Sequence, residues 1–204
     1  MTNDTKWSID PAHSEIAFKV KHLMIANVRG EFKTFDANIH TTGLDFTTAE
    51  VDVWIDPSSI TTSDEKRDEH LKNSDFFDVL NHKEISFTAS TISKADEKNM
   101  HELWGELTIK GITKSIKLNV VFGGVIHDPW GNDRAGFHVT GTINRKDWGL
   151  NWNTTIELGG VMVGDEVNII CELQLVSQKK EKAAMEMELE ESTETSTVQT
   201  AIEP

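Results

Sequence analysis

Apolar and polar residues alternate with a period of two over most of this chain. In His13–His22, Ile16, Phe18, Val20 and His22 share one face, while Glu15, Lys19 and Lys21 take the other together with Ala17. Val51, Val53 and Ile55 alternate with Glu50, Asp52 and Trp54, and Ile85, Phe87 and Ala89 alternate with Ser86, Thr88 and Ser90. The same parity links Leu103, Gly105, Leu107 and Ile109; then Ile116, Leu118, Val120 and Phe122; then Phe137, Val139 and Ile143; and finally Val167, Ile169, Cys171, Leu173 and Leu175. Such runs mark β-strands that bury one face. Phe32, Phe35 and Ile39 do not keep one parity, which predicts a β-bulge near Thr34. Lys110-Gly111-Ile112-Thr113 reads as a hairpin turn and Asp128–Asp133 as a loop.

One segment departs from this pattern. Ser63–Asn73 lacks β-branched residues and is dense in helix formers, which predicts a helix of two to three turns with Thr62 or Ser63 as N-cap. Arg67 and Leu71 lie one turn apart on it, so Arg67 is expected either to pin the helix through a carboxylate with Leu71 packed beneath or to contact a ligand at the barrel mouth. A second short turn of helix is expected at Lys146–Leu150. About seven or eight antiparallel strands with one inserted helix predict an all-β, closed or nearly closed barrel, with a two-sheet sandwich as the rival. This body spans 6–177. The remainder, 178–204, is acidic and poor in large apolar residues, so it is expected to be disordered or partly helical.

Composition narrows the possibilities. The chain has 204 residues, 37% of them hydrophobic, enough for one sizeable core. Its 34 acidic residues against 20 basic ones leave a net charge of −14, which argues against a nucleic-acid partner. No apolar run of about 18 residues occurs that could cross a membrane. The single cysteine, Cys171, forbids an internal disulfide and a Cys-based zinc cluster. With no leader-like pattern at Met1–Trp7, the expectation is a cytoplasmic protein, or a periplasmic one if a signal sequence has been removed.

The candidate chemistry is sparse. The eight histidines show no ligand spacing, so neither a metal nor a cofactor is expected. There is no Gly-x-Ser-x-Gly elbow, and Cys171 lies within an apolar strand, as a core residue would. Gly123-Gly124 and Gly159-Gly160 lack the lysine or helix start of a phosphate loop. His22, on the inward face of its strand, is either a satisfied interior histidine or a polar group fixing a ligand head at one end of an apolar cavity. Phe18, Phe32, Phe76, Phe77, Phe87, Phe122 and Phe137 either pack a core or line a cavity, since an eight-stranded barrel can be filled or can hold one small ligand.

Several separated motifs carry a resemblance: Trp7-x-x-Asp10-x-x-His13-Ser14, then Phe18, His22, Gly30 and Phe32, then Ser59-Ile60, Arg67–Leu71, Phe76–Val79, Gly105–Lys114 and Arg145–Leu150. In this order they resemble the YceI-like family, also called the polyisoprenoid-binding protein family, over nearly all of 6–177. The usual opening tyrosine is Trp7 here, and Asn81-His82-Lys83-Glu84 stands where the family has a tyrosine and proline. The resemblance implies an extended, antiparallel, eight-stranded lipocalin-like barrel whose apolar tunnel takes an isoprenoid, an isoprenoid quinone or a fatty acyl chain. It implies no enzymatic activity, and dimers are common in the family. Carried onto this sequence, the tunnel lining is Phe18, Val20, Phe32, Val53, Ile55, Phe87, Leu107 and Phe122, closed from the helix side by Leu71, Phe76 and Phe77, with His22 at one end.

The leading expectation is therefore a protein that binds and carries or stores a long-chain amphiphilic lipid. Two alternatives stand beside it. One is an enzyme acting on a bound amphiphile with His22 or Asp10 as acid–base group. The other is a stress or interaction module with a filled barrel that recruits a partner through the acidic tail.

Overall fold

The computed structural model describes residues 4–94, 96, 100–154 and 162–178. The expected disorder or helix of the acidic tail and the Gly159-Gly160 pair therefore fall outside the described residues, apart from Gln178. Eleven strands are seen among the described residues: β1 Asp4–Ile9, β2 Glu15–His22, β3 Ala26–Phe32, β4 Phe35–Thr42, β5 Asp45–Ile55, β6 Ile60–Thr61, β7 Ile85–Ile92, β8 Met100–Ile109, β9 Ile112–His127, β10 Asp133–Asn144 and β11 Val163–Ser177. One α-helix, α1 Glu65–Lys72, is inserted between β6 and β7.

Eight of these strands form a closed antiparallel circuit in the order β1-β4-β5-β7-β8-β9-β10-β11, with β11 returning to pair with β1. Closure leaves no exposed edge in that circuit. The long β11 explains the three further strands. Its last residues, Leu175–Ser177, pair with β1, and its earlier stretch, Val163–Glu172, pairs with β2. β2 carries β3, and β3 carries the two-residue β6. β1 and β2 thus follow one another along the same side of β11, separated by a 3-10 turn at Pro11–His13 that Asp10 caps through the Ala12 amide.

Local chemistry accounts for most element boundaries. Lys110 and Gly111 both have positive φ (51° and 72°) and join Ile109 to Ile112, the backbone of a tight two-residue hairpin. The parity break between Phe32 and Phe35 is a corner, not a bulge. The chain turns at Lys33-Thr34, and the Ser59 hydroxyl accepts both amides at 3.1 and 3.0 Å. Gly123 is the extra residue in β9, since Gly124 faces Gly136 while Phe122 faces Phe137. β1 escaped the sequence pattern because it is short, although Thr5, Trp7 and Ile9 are buried and alternate with exposed Asp4 and Lys6.

The helix begins one residue later than a Ser63 cap would place it and two later than a Thr62 cap would. Asp64 is its N-cap, accepting from the Arg67 amide at 3.1 Å, with Glu65 and Asp68 in the first turn and His70 and Lys72 in the last, as the helix dipole favours. Thr62 is instead held by the helix. Its amide and hydroxyl donate to Asp68 at 2.8 and 2.5 Å. Arg67 does pin the helix, but to Thr62 rather than to a carboxylate of the barrel, with Nε donating to the hydroxyl at 2.7 Å and Nη2 to the carbonyl at 2.9 Å. The turn expected at Lys146–Leu150 is a 3-10 turn over Arg145–Trp148, ended by Gly149 in the left-handed region.

Candidate functional site

The inward-facing residues of the strands do not fill the barrel. They surround a cavity of about 270 Å³ lined, among the described residues, by 36 side chains of which only Arg145 is charged. Two inward glycines allow rings to lie flat against the wall. The Phe18 ring covers Gly30, reaching within 2.4 Å of where a Cβ would stand, and the Phe87 ring covers Gly105 at 2.5 Å.

Aromatic clusters close the two ends. At the far end Phe46 touches Trp7, Phe122 and Phe137 at centroid distances of 4.9, 5.3 and 4.9 Å, and Phe122 stacks on Phe137 at 5.1 Å. Trp7 is fully buried and donates its indole N–H to the Thr41 hydroxyl at 2.9 Å. At the helix end Phe32 touches Phe18 and Phe77 (5.9 and 5.8 Å), and Trp152 touches Phe76 and His70 (5.4 and 4.6 Å). Here the wall is not continuous sheet. The pairing of β4 with β5 stops at Phe35 and Ile55, and β6 covers only Glu31 and Phe32 of β3. The gap is occupied by α1 and the segment 73–84, from which Leu71, Phe76 and Phe77 face the cavity.

Of the residues named from the sequence, Phe18, Val20, Phe32, Val53, Ile55, Leu71, Phe76, Phe77, Phe87 and Leu107 line the cavity. Phe122 and His22 are not among the lining residues. Phe122 spends its ring on the far-end cluster, and His22 is the last residue of β2, half-buried opposite Val163 and Ala26. Asp10 also lies outside the lining. Burial raises its pKa, but hydrogen bonds from Arg134 (2.6 Å) and His13 (3.0 Å) outweigh this and hold its carboxyl below the usual range, which ill suits a proton shuttle near neutrality. Burial pushes the Cys171 thiol up to about 12, so it is no nucleophile. Among the described residues no group of three His, Cys, Asp or Glu side chains could hold a metal.

Sequence reasoning missed Phe46, Trp152 and Arg145. The β4–β5 register shifts between His40 and Thr42, which puts Phe46 out of phase with Ala49, Val51 and Val53. Trp152 lies outside any strand. Arg145, 3% exposed at its side chain, looks like a surface cation in the sequence. In the fold its Nε donates to Gly164 O at 2.9 Å, and Nη1 donates to the carbonyls of Leu150 and of Trp152 (the latter at 2.9 Å). Its stem faces the cavity while its head ties the segment after β10 to the start of β11.

A second ionic knot secures the far end. Arg134 bridges Asp10 at 2.6 Å and Asp128 at 2.7 Å, and Asp128 also accepts the amides of Trp130 and Asn132. Burial of Asp128 raises its pKa, but the Arg134 and Asn132 hydrogen bonds more than offset this and bring it down to about 2. A depressed folded pKa stabilises the fold above the unfolded value of about 3.9, and that stabilisation is lost as pH falls through about 2. Urea midpoints of the wild type should therefore drop between pH 4 and pH 2 by more than those of Asp128→Asn. Equal drops would show that this carboxylate does not carry the acid sensitivity.

A closed antiparallel barrel around a hydrocarbon-lined hollow is the architecture of lipocalin-like barrels. Comparison with known proteins makes the placement specific. The family model of the YceI-like domain matches residues 7–175. A UPF0312 protein of Staphylococcus aureus is 42% identical over 164 residues, covering 80% of this chain and 92% of its own. The chain belongs to the YceI-like family. Among solved structures, the YceI protein of Campylobacter jejuni is 33% identical, with a TM-score of 0.64 over 78% of this chain and 90% of that one. A polyisoprenoid binding domain from Saccharophagus degradans implicated in plant cell wall breakdown shares the fold, with a TM-score of 0.60 at 14% identity over 83% of this chain and 97% of that one. Among the described residues no helix is long and apolar enough to cross a membrane.

Proposed function

We propose that this protein is a binding protein, not an enzyme, that holds one long-chain amphiphilic lipid of the isoprenoid, isoprenoid quinone or fatty acyl type in its barrel and carries or stores it. The observation that carries this reading is the hollow interior. An unfilled apolar void of about 270 Å³ forfeits about 6 kcal/mol of packing at about 24 cal/mol per Å³, so a chain that fills it gains what the walls cannot supply to one another. Each methylene moved out of water adds about 0.8 kcal/mol. The volume stands near the lower end of ligand pockets, about 300–1,000 Å³, which favours a single unbranched or prenyl chain over a lipid with two chains. Selectivity should follow chain length more than head group, because among the described residues Arg145 is the only charged one in the lining and its guanidinium is already engaged by backbone carbonyls.

Family membership and the polyisoprenoid binding described for the Saccharophagus degradans domain agree with this reading. Among the described residues the lining holds no carboxylate, histidine, serine or lysine, which supports binding rather than turnover. Binding is assigned to residues 6–177, and a reducing cytoplasm suits a chain with one cysteine.

Native mass spectrometry of the purified protein and its solvent extract tests the proposal. A lipid bound one to one, or uptake of added prenyl alcohols and fatty acids that strengthens with chain length, is the expected result. No uptake of any chain would overturn it.

A further inference from the structure

Ile25 and Leu80, 86% and 82% exposed, are the most solvent-exposed large hydrophobic residues among those described. They lie on two different segments that converge on one end of the barrel. Ile25 sits on the β2–β3 turn, where Leu23 and Met24 have positive φ (50° and 59°) and Met24 is itself 53% exposed. Leu80 sits on the segment 73–84, just after Asp78, which also has positive φ at 49°. Leu23 and Met24 adopt the left-handed region at a cost, while Asp78 is of a type that tolerates it, and after both turns an aliphatic side chain stands in water rather than in the core.

Both turns flank the one part of the wall that strand pairing leaves open. β3 has no strand along Ala26–Gly30 on its second side among the described residues, and the segment 73–84 occupies the gap. The amide of Leu23 donates to Met162 O at 2.8 Å, and Lys110 Nζ donates to Ser74 O at 3.4 Å, which ties these turns to the start of β11 and to the β8–β9 hairpin. From the same end Phe77 and Leu71 face the cavity.

We propose that this end docks on a phospholipid bilayer, with Met24, Ile25 and Leu80 entering the acyl boundary so that the cavity's chain passes between protein and membrane at the β3 gap. This rests on the lipid-binding reading and adds where the lipid comes from. Charge agrees with the occupant. Lys21 and Lys83 are exposed, stand close in sequence to Ile25 and Leu80, and form no ion pair among the described residues, an arrangement suited to headgroup phosphates, with the exposed Glu84 next to Lys83 as an opposing charge there. The nearby Asp78 carboxylate accepts from the exposed Asn81 amide at 3.0 and 3.1 Å. With a net charge of −14 the protein as a whole is repelled by strongly anionic surfaces, so the aliphatic tips must drive the contact.

The test uses the full chain, phosphatidylcholine vesicles and a dansyl-labelled long-chain fatty acid. The expected result is that wild type floats with the vesicles and takes the probe from them. An Ile25→Asp/Leu80→Asp variant should lose at least tenfold in vesicle-bound fraction and in extraction rate while binding the same probe from solution with unchanged affinity. An Ile126→Asp/Leu44→Asp variant, altered away from this end, should float as wild type does. Wild type that binds the probe from solution but never floats would overturn the docking proposal and leave the lipid-binding reading standing. Flotation that survives the tip substitutions would overturn it as well. So would a wild-type dimer that the tip variant converts to monomer, because the tips would then meet a second copy of this chain. Failure of wild type to bind the probe from solution is the separate failure of the underlying reading.

Discussion

Val53→Trp should abolish uptake of long acyl or prenyl chains, weakening binding at least a hundredfold, and at the same time raise the thermal midpoint of the ligand-free protein. Val53 sits in β5 between Ala37 and Phe87 and faces the cavity. It is half-buried, packed against the core cluster on one side and open to the hollow on the other. An indole at this place enters the void and replaces the ligand's contacts by permanent ones. Filling part of a cavity typically gains about 1–2 kcal/mol, which for a protein of this size is about 3–6 °C. The two effects have opposite signs only if the hollow is real and is the binding site. A lowered midpoint would mean that the indole is overpacked against a wall that has no room for it. Normal binding would place the lipid somewhere else. Differential scanning fluorimetry of the variant, with and without a C16 fatty acid, reads both at once. Wild type should be stabilised by the fatty acid, by about 2.7 kcal/mol when the ligand is at a hundred times its Kd, and the variant should not respond.

Arg145→Met should lower stability by about 3–5 kcal/mol, read as a shift of the urea midpoint at constant m-value. Methionine keeps a stem of similar reach against the cavity, so the loss reports the guanidinium. That group is removed from water, which lowers its pKa, with the Asp165 charge partly opposing the shift. Its donors go to the carbonyls of Gly164, Leu150, Trp152 and Val163, and Asp165 Oδ1 stands 3.5 Å away. Without it several carbonyls are left unpaired in a dry site, the situation in which losing a hydrogen-bond partner costs most, while Asp165 keeps its ion pair with Lys146 at 2.8 Å. A loss under about 1 kcal/mol would show that water reaches these groups and that the buried clamp is not structural. The same clamp explains the Arg145–Leu150 motif. Trp148 donates its indole N–H to Leu107 O at 3.0 Å, Gly149 supplies the left-handed turn with φ 71°, and Leu150 completes the cavity wall.

The sequence carried the wall of the site well and its ends poorly. Ten of the residues named from alternation and resemblance line the cavity because a strand's side-chain period of two needs only local information. Phe122 obeys that parity up to the bulge at Gly123, yet its ring is drawn into the Phe46–Phe137 cluster, which depends on three other strands. His22 fits the same face by count, but it is the final residue of its strand and stays out of the lining, although its partner Val163 belongs to it. The Ser59 pin shows the same limit. A corner held by two amides on one distant hydroxyl looks, in one dimension, like a bulge.

The sequence by itself determined that this chain makes antiparallel strands with one buried face, one short helix, and a family-typical set of motifs, because each of these follows from residues close together along the chain. Only the tertiary structure decided that eight strands close into a circuit, with β2, β3 and β6 branching from β11, and that the interior is hollow. Closure depends on which distant strand pairs with the free side of β1. Hollowness depends on the difference between the volume the backbone encloses and the volume the inward side chains occupy, and alternation, which says which way a side chain points, is silent about that difference.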